Sequence, residues 1–264
     1  NAEYSPNEAK RTKCTASPVI LGGSFQIDRV IAQTSGAINE MDFQIKEKTK
    51  AGANYFHNLV INGTSASSGT GYVPNTFDGL KKILTGKSTE MTTDIDISTS
   101  ALLDSNYNAL LDELDTFIAL LAAKPDVLMM NSKMLTKVKS AARRAGYYDR
   151  NKDDFGRTVE TYNGIILMDA GQYYNGSTTE DVVSTSTPSS DAYGTTDIYA
   201  AKLGLDAFHG ISVDGSKMLK TYLPDLQAPG AVKTGEVELI AGAVLKNSKM
   251  AGVLKGIKLL GKTA

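Results

Sequence analysis

The run SGAINEMDFQIKEKTKAGANYFHNLVI, Ser35 to Ile61, is the longest in the chain with one clear period. Ile38, Met41, Ile45, Thr49, Gly52 or Ala53, Phe56 and Val60 recur at steps of three and four, the apolar stripe of an amphipathic helix. Asn39, Glu40, Asp42, Lys46, Glu47, Lys48 and Lys50 fill the remaining positions as a solvated face. Asp42 precedes Lys46 by four, the favourable order for an ion pair. Thr34 and Ser35 are N-cap candidates. Asn62-Gly63 is the stop, with Gly63 expected in a left-handed C-terminal position. At about 1.5 Å per residue the helix spans roughly 40 Å, longer than the radius of a small domain. Its narrow stripe, with Gly52 and Ala53 in it, predicts that something flat packs there. A long core helix in an ordinary enzyme domain fits the same periodicity.

Composition sets the bounds around this helix. The protein has 264 residues, 41% hydrophobic and 22% charged, with net charge −1, values of a folded protein of one large or two ordinary domains. No stretch reaches 18 apolar residues, so no membrane-spanning helix is expected, and no secretory pattern opens the sequence. It starts at Asn1 rather than Met, which leaves open a processed or a truncated product. The single cysteine, Cys14, excludes an internal disulfide framework. Near-zero net charge argues against an extended nucleic-acid surface.

Working outward, residues 1 to 17 are polar without period and read as an arm that needs a partner. Pro18 to Asp28 reads as extended, broken by Gly22-Gly23. Asn62 to Asn75 is a small-residue loop, and Thr76 to Leu84 a short amphipathic helix capped by Thr76 or Asn75. Ser100 to Ala123 is the second strong helix, with Leu103, Tyr107, Leu110, Leu111, Leu114, Phe117, Ile118 and Leu121 on its apolar face and Lys124-Pro125 as its end. Val127 to Met130 is a buried strand. Asn131 or Ser132 caps a basic helix that stops at Gly146. Thr158 to Asp169 is a hairpin turning at Asn163-Gly164. Gly171 to Thr196, rich in Ser, Thr and Gly, is expected to be a mobile loop. Gly235 to Lys246 and Met250 to Leu259 read as a closing antiparallel pair. The plan is α+β.

The chemistry-bearing residues form no constellation, so no catalytic, cofactor-binding or metal residue is assigned. His57 and His209 are the only histidines and stand far apart; His57, beside the helix stripe, reads as structural. Cys14 reads as a bystander thiol. Gly69-Thr70-Gly71 lacks the Lys-Ser/Thr of a phosphate loop. Asp149, Asn151, Asp153 and Glu160 approach calcium-loop spacing, but Asp154 occupies the place of the required glycine. Asn62-Gly63-Thr64 and Asn175-Gly176-Ser177 match a glycosylation triplet and read as turns. Lys133, Lys137, Lys139, Arg143 and Arg144 crowd the basic helix while Asp104, Asp112, Glu113 and Asp115 crowd the one before it; such a split suits head-to-tail contacts between copies, or simply two solvated faces.

The order of pieces resembles the major capsid proteins of tailed bacteriophages, the Hong Kong 97-type fold. It is carried by GGSFQIDRVIAQTSGAINEMDFQIKEKTKAGANYFHNLVING, FDGLKKIL, LLDELDTFIALLAAKPDVLMMNSKMLTKVKSAARRAG, YNGIILMDAG and DIYAAKLGLDAFHGIS, then the closing strands. The resemblance implies residues 1–30 as E loop and arm region, with the arm that normally precedes it missing. It implies 31–94 as a P domain with spine helix 35–61, 95–225 as an A domain, and 226–264 as strands returning to the P domain. It implies a non-enzymatic shell protein, made in the bacterial host cytoplasm, that self-assembles into pentamers and hexamers of an icosahedral virion head. Its partners would be its own copies, then scaffold, portal or decoration proteins, and DNA without sequence preference; no cofactor and no membrane are implied. A covalent cross-link between Lys10 or Lys13 and Asn247 is a further implication.

Two alternatives stand beside this one. An encapsulin-like compartment shell would use the same fold to hold cargo enzymes, and a surface adhesin would account for the Ser/Thr/Gly loops. A hydrolase needs a cleft with perturbed titratable groups, which two scattered histidines do not supply.

Overall fold

The computed structural model describes residues 13, 15–34, 40–65, 76–146, 149–152, 158–213, 218–225, 227 and 229–263. The first half of the sequence gives β1 (Val19–Asp28), α1 (Arg29–Thr34), α2 (Glu40–Asn62), α3 (Leu80–Leu84), β2 (Glu90–Thr92), α4 (Ser100–Ala119), β3 (Val127–Met130) and α5 (Ser132–Arg144). The second half is mostly strand: β4 (Asp149–Lys152), β5 (Thr158–Tyr162), β6 (Ile165–Asp169), β7 (Gln172–Tyr174), β8 (Thr179–Asp181), β9 (Gly194–Ala201), β10 (Phe208–Ile211), β11 (Leu219–Tyr222), β12 (Val232–Leu245) and β13 (Ala251–Leu260).

The long helix is present as α2. The expected cap Ser35 and the stripe residue Ile38 lie outside the described residues, and Thr34 closes the separate helix α1. From Met41 to Val60 every stripe residue is half-buried. Only Asn58, Leu59 and Ile61, at the C-terminal end, are fully buried. The flat partner is the pair β1–β12: Met41 and Ile45 pack on Phe25, Ile27 and Val237. Further along, Phe56 and Val60 join a second cluster with Leu59, Leu80 and Tyr199, and the Phe56 and Phe77 rings lie 5.8 Å apart. One thin sheet covers the helix, so its stripe never goes fully dry.

Gly63 is not left-handed, contrary to expectation. It is required by close approach. The Gly79 N–H donates to the Gly63 carbonyl at 2.8 Å, and a Cβ on Gly63 would sit 2.2 Å from the Phe77 carbonyl oxygen. This crossing pins both ends of the segment between α2 and α3. Thr76 Oγ1 donates to the Thr64 carbonyl at 2.8 Å and Ser65 N to Asp78 Oδ1 at 2.7 Å. Thr76 is therefore not the cap of α3, which begins only at Leu80 behind Gly79.

Two sheets organise the strands. In the first, β12 is central, with β1 along one edge and β10 and β11 along the other. β1 pairs with β12 from Val19↔Ala241 to Asp28↔Val232 without interruption, so Gly22-Gly23 does not break it. The second sheet has seven strands in the order β2-β13-β9-β3-β6-β5-β4. The expected closing pair is therefore not a pair: β12 belongs to the first sheet, while β13 lies between β2 and β9 in the second.

The helices α4 and α5 cover one face of the seven-stranded sheet, in a core with Leu114, Phe117, Met134, Val138, Ile165 and Ile198. Burying a residue such as Phe117 contributes about 1.5–3 kcal/mol. α4 ends at Ala119, earlier than expected, although Leu121 is buried as anticipated. The Asn131 carboxamide caps α5, accepting from Met134 N at 2.8 Å. At the β5–β6 turn Asn163 has φ 51° and Gly164 φ 71°, the doubly positive turn that an Asn-Gly pair supplies in a hairpin.

The expected mobile loop from Gly171 to Thr196 is ordered. It holds the hairpin β7–β8, the start of β9, and the buried pair Val182 and Val183. These two valines are its apolar anchor in the second cluster. Asn62 Nδ2 donates to the Val182 carbonyl at 2.6 Å. Asn131 Nδ2 donates to Val183 O at 3.0 Å, Thr185 Oγ1 at 3.0 Å and Thr196 Oγ1 at 2.8 Å. Two distant helix-terminal asparagines thus tie the segment down.

Candidate assembly surfaces

α2 covers only one face of the first sheet. Directly paired residues share a face, and Leu21, Phe25 and Ile27 point at the helix. Ile20 with Ile240, Ser24 and Tyr222 with Glu236, and Asp28 with Val232 therefore lie on the opposite, open face. Ile20 is 53% exposed, Tyr222 52% and Val232 55%. Val30 and Ile31 are exposed on α1, whose first amide, Arg29 N–H, donates to the Ala231 carbonyl at 2.9 Å beside Val232. Val213, Met218, Leu219 and Leu223 are exposed around β11. Of the seventeen large apolar residues exposed among the described residues, these nine gather on one sheet and its borders. A lone soluble subunit rarely shows such a concentration; a surface that meets another protein does.

Some of the charges on α4 and α5 are used within the subunit. The two helices pack together, and Arg144 Nε pairs with Asp104 Oδ1 at 2.5 Å. Lys139 pairs with Glu160 on β5, and the Tyr162 hydroxyl donates to Asp115 Oδ1 at 2.9 Å. Lys137 Nζ reaches the Ser98 carbonyl at 3.4 Å. One pair of the acid and base sets, Arg144 and Asp104, thus meets inside one subunit, while Lys137, Lys139 and Asp115 find other partners within it. Helices adjacent in the fold bring opposite charges together without a second copy.

Titration is perturbed at the seam between β2, β13 and β9. Lys255 pairs with Glu90, and this bond, with the Gly86 amide, holds the Glu90 carboxyl below the usual range. Gly256, at φ 86°, forms a bulge in β13, and its N–H donates to Asp197 Oδ1 at 3.3 Å. Burial pushes the Asp197 carboxyl up, against the pull of that amide and of Lys255. Burial also pushes the Tyr199 phenol up, helped by Asp197 and Glu90.

The remaining residues considered from sequence do not converge. His57 is exposed on α2 and His209 half-buried on β10. Asp149 and Asn151 fall in β4, Asp153 and Asp154 lie outside the described residues, and Glu160 is held by Lys139. Among the described residues no three His, Cys, Asp or Glu residues stand together to hold a metal ion, and no helix is long and apolar enough to cross a membrane. Asn175 and Asn62 are both engaged in turn and helix-end hydrogen bonds. Asn247 caps a short 3-10 helix, Ser248–Met250, accepting from Lys249 N at 3.0 Å. Cys14, Lys10 and Gly69 to Gly71 lie outside the described residues; Lys13 is exposed.

A spine helix on a thin sheet, beside a seven-stranded sheet backed by two helices, defines the class: an α+β fold of the Hong Kong 97 type. The SU10 major capsid protein model matches residues 22–166, more than half of the sequence, and the chain belongs to that family. It is a structural protein of the capsid, a tailed-phage major capsid protein. Among solved structures, the holo-SrpI encapsulin complex of Synechococcus elongatus PCC 7942 is similar with a TM-score of 0.65 at 13% identity, over 94% of this protein and 76% of that one. The structure of Mycobacterium phage Ogopogo is similar with a TM-score of 0.52 at 12% identity, over 97% and 83%. The satellite phage P4 procapsid gives 0.52 at 9% identity, over 98% and 83%. No curated protein matches.

Proposed function

We propose that copies of this protein tile into pentamers and hexamers of an icosahedral phage head, and that the open face of the β1–β12–β11 sheet is one of the tiling surfaces. The observation that carries this reading is the gathering of exposed apolar residues on this sheet and its borders, with Ile20, Tyr222 and Val232 on the face that α2 leaves open. Heterologous contacts of this kind close into rings. The polar arm up to Ser17 lies on a neighbouring copy in the same picture. The division into an E-loop region (1–30), P domain (31–94), A domain (95–225) and returning strands (226–264) is proposed with it, as are scaffold, portal or decoration partners, sequence-independent contact with DNA and synthesis in the host cytoplasm.

Electron microscopy and sedimentation of the full-length protein test the reading. Ile20→Asp with Val232→Asp should leave a folded subunit, since both residues already face water, but block closed shells. Wild-type shells from that variant would remove the open face from the interface; a wild-type protein that stays monomeric at every concentration would remove the tiling. A compartment shell is the second reading, supported by the likeness to the SrpI encapsulin. Particles that co-purify with one protein cargo and no DNA would favour it.

A further inference from the structure

We propose that the hairpin tip at Asn163-Gly164 is a self-modification site at which the subunit loses ammonia and acquires a carboxylate, while its other two Asn-Gly pairs stay intact. The sequence holds three such pairs, at Asn62, Asn163 and Asn175. Asn-Gly is the dipeptide most open to this chemistry, because glycine places no Cβ in front of its backbone nitrogen. The structure separates the three.

Asn62 is locked at the end of α2. Its Nδ2 donates to Asn58 Oδ1 at 2.8 Å and to Val182 O at 2.6 Å, and the attacking group, Gly63 N–H, is held by Leu59 O at 2.9 Å. Asn175 is locked in its turn. Its Oδ1 accepts from Ser177 N and Thr178 N, each at 2.9 Å, and its Nδ2 donates to Glu180 Oε1 at 2.6 Å. Asn163 is exposed, and no hydrogen bond holds its carboxamide among the described residues. Lys124 adds a second feature: its Nζ lies 3.1 Å from where a Cβ of Gly164 would be, so an ammonium rests against the reacting turn.

In the step itself, the Gly164 backbone nitrogen gives up its proton and bonds to Asn163 Cγ. The Cγ–Nδ2 bond breaks and its nitrogen leaves as ammonia, forming a cyclic imide. Water then opens the imide at either carbonyl, giving an aspartyl or an isoaspartyl residue; the net reaction is amide plus water to acid plus ammonia, with no change of oxidation state. Lys124 favours the negative charge that develops on the ring nitrogen and the tetrahedral oxygen, and afterwards faces the new carboxylate.

Full-length protein is incubated at mildly alkaline pH, and each Asn-Gly peptide is followed by mass spectrometry and isoaspartyl labelling. In the native protein Asn163 should convert about ten-fold faster than Asn62 or Asn175, a barrier difference of about 1.4 kcal/mol. In the same protein unfolded by urea the three rates should converge. Lys124→Gln should slow Asn163 several-fold and leave the other two unchanged. Native Asn62 or Asn175 converting as fast as Asn163 would overturn the proposal, and an unaltered Asn163 rate in Lys124→Gln would overturn the part given to the lysine.

Discussion

Replacing Asn131 tests whether one carboxamide joins α5 to the segment between β8 and β9. The residue is 1% exposed and makes four hydrogen bonds. Asn131→Ala removes the α5 cap, at about 1 kcal/mol. It leaves the Val183 carbonyl buried without its donor, at about 1–2 kcal/mol. The space vacated in a packed site adds about 1 kcal/mol. Thr196 keeps a partner, since its Oγ1 also donates to the Ser184 carbonyl at 3.2 Å. The expected loss is about 3–4 kcal/mol, a drop in melting temperature of about 10 °C for a protein of this size. Asn131→Asp separates the two roles. Its carboxylate still accepts from Met134 N and suits the helix N-terminus, but it cannot donate to Val183 O, so it should recover only the capping part. The assay is thermal unfolding of the unassembled subunit, because assembly would add stability by mass action, together with hydrogen exchange at the peptide holding Val182 and Val183. Melting of Asn131→Ala within about 2 °C of the parent, or of Asn131→Asp equal to it, would refute the account.

Three further outcomes are expected. Gly63→Ala should abolish soluble folded protein, because its Cβ would fall 2.2 Å from the Phe77 carbonyl and 2.5 Å from that of Leu59, and neither backbone can yield; normal circular dichroism and yield would contradict this. Asp197→Asn should gain stability over the parent as pH rises, measured by urea unfolding across the acid-to-neutral range. The folded carboxyl holds its proton more tightly than the unfolded one, so the parent loses stability through that window while asparagine does not; Glu90, shifted the other way, contributes stability that is lost on acidification in both proteins. Arg144→Asp should cost up to about 1 kcal/mol, as expected for a partly exposed pair, and adding Asp104→Arg should restore most of it; a reversal that instead affects only shell assembly would place this charge between subunits.

The periodic elements were legible in the sequence because their signal is local. The stripe from Met41 to Val60, the leucines of α4, the Asn131 cap and the Asn163-Gly164 turn each depend on residues within one or two helical turns or a single hairpin, and the structure holds all four. The order of those elements was enough to suggest the capsid fold. What tertiary structure alone decided depends on partners far apart in sequence. Gly63 looked like a left-handed cap, but its need for a bare α-carbon comes from Phe77, across a backbone crossing. The segment Gly171 to Thr196 looked free because its composition is polar; two valines and two asparagines at positions 62 and 131 order it. β12 and β13, neighbours in sequence, part into different sheets, β12 pairing along the whole of β1 and β13 lying between β9 and β2. The candidate assembly face was invisible for the same reason. Ile20 and Val232 stand next to buried residues as in any half-buried strand, and only the placement of α2 on one side of the sheet leaves them, with Tyr222, facing outward.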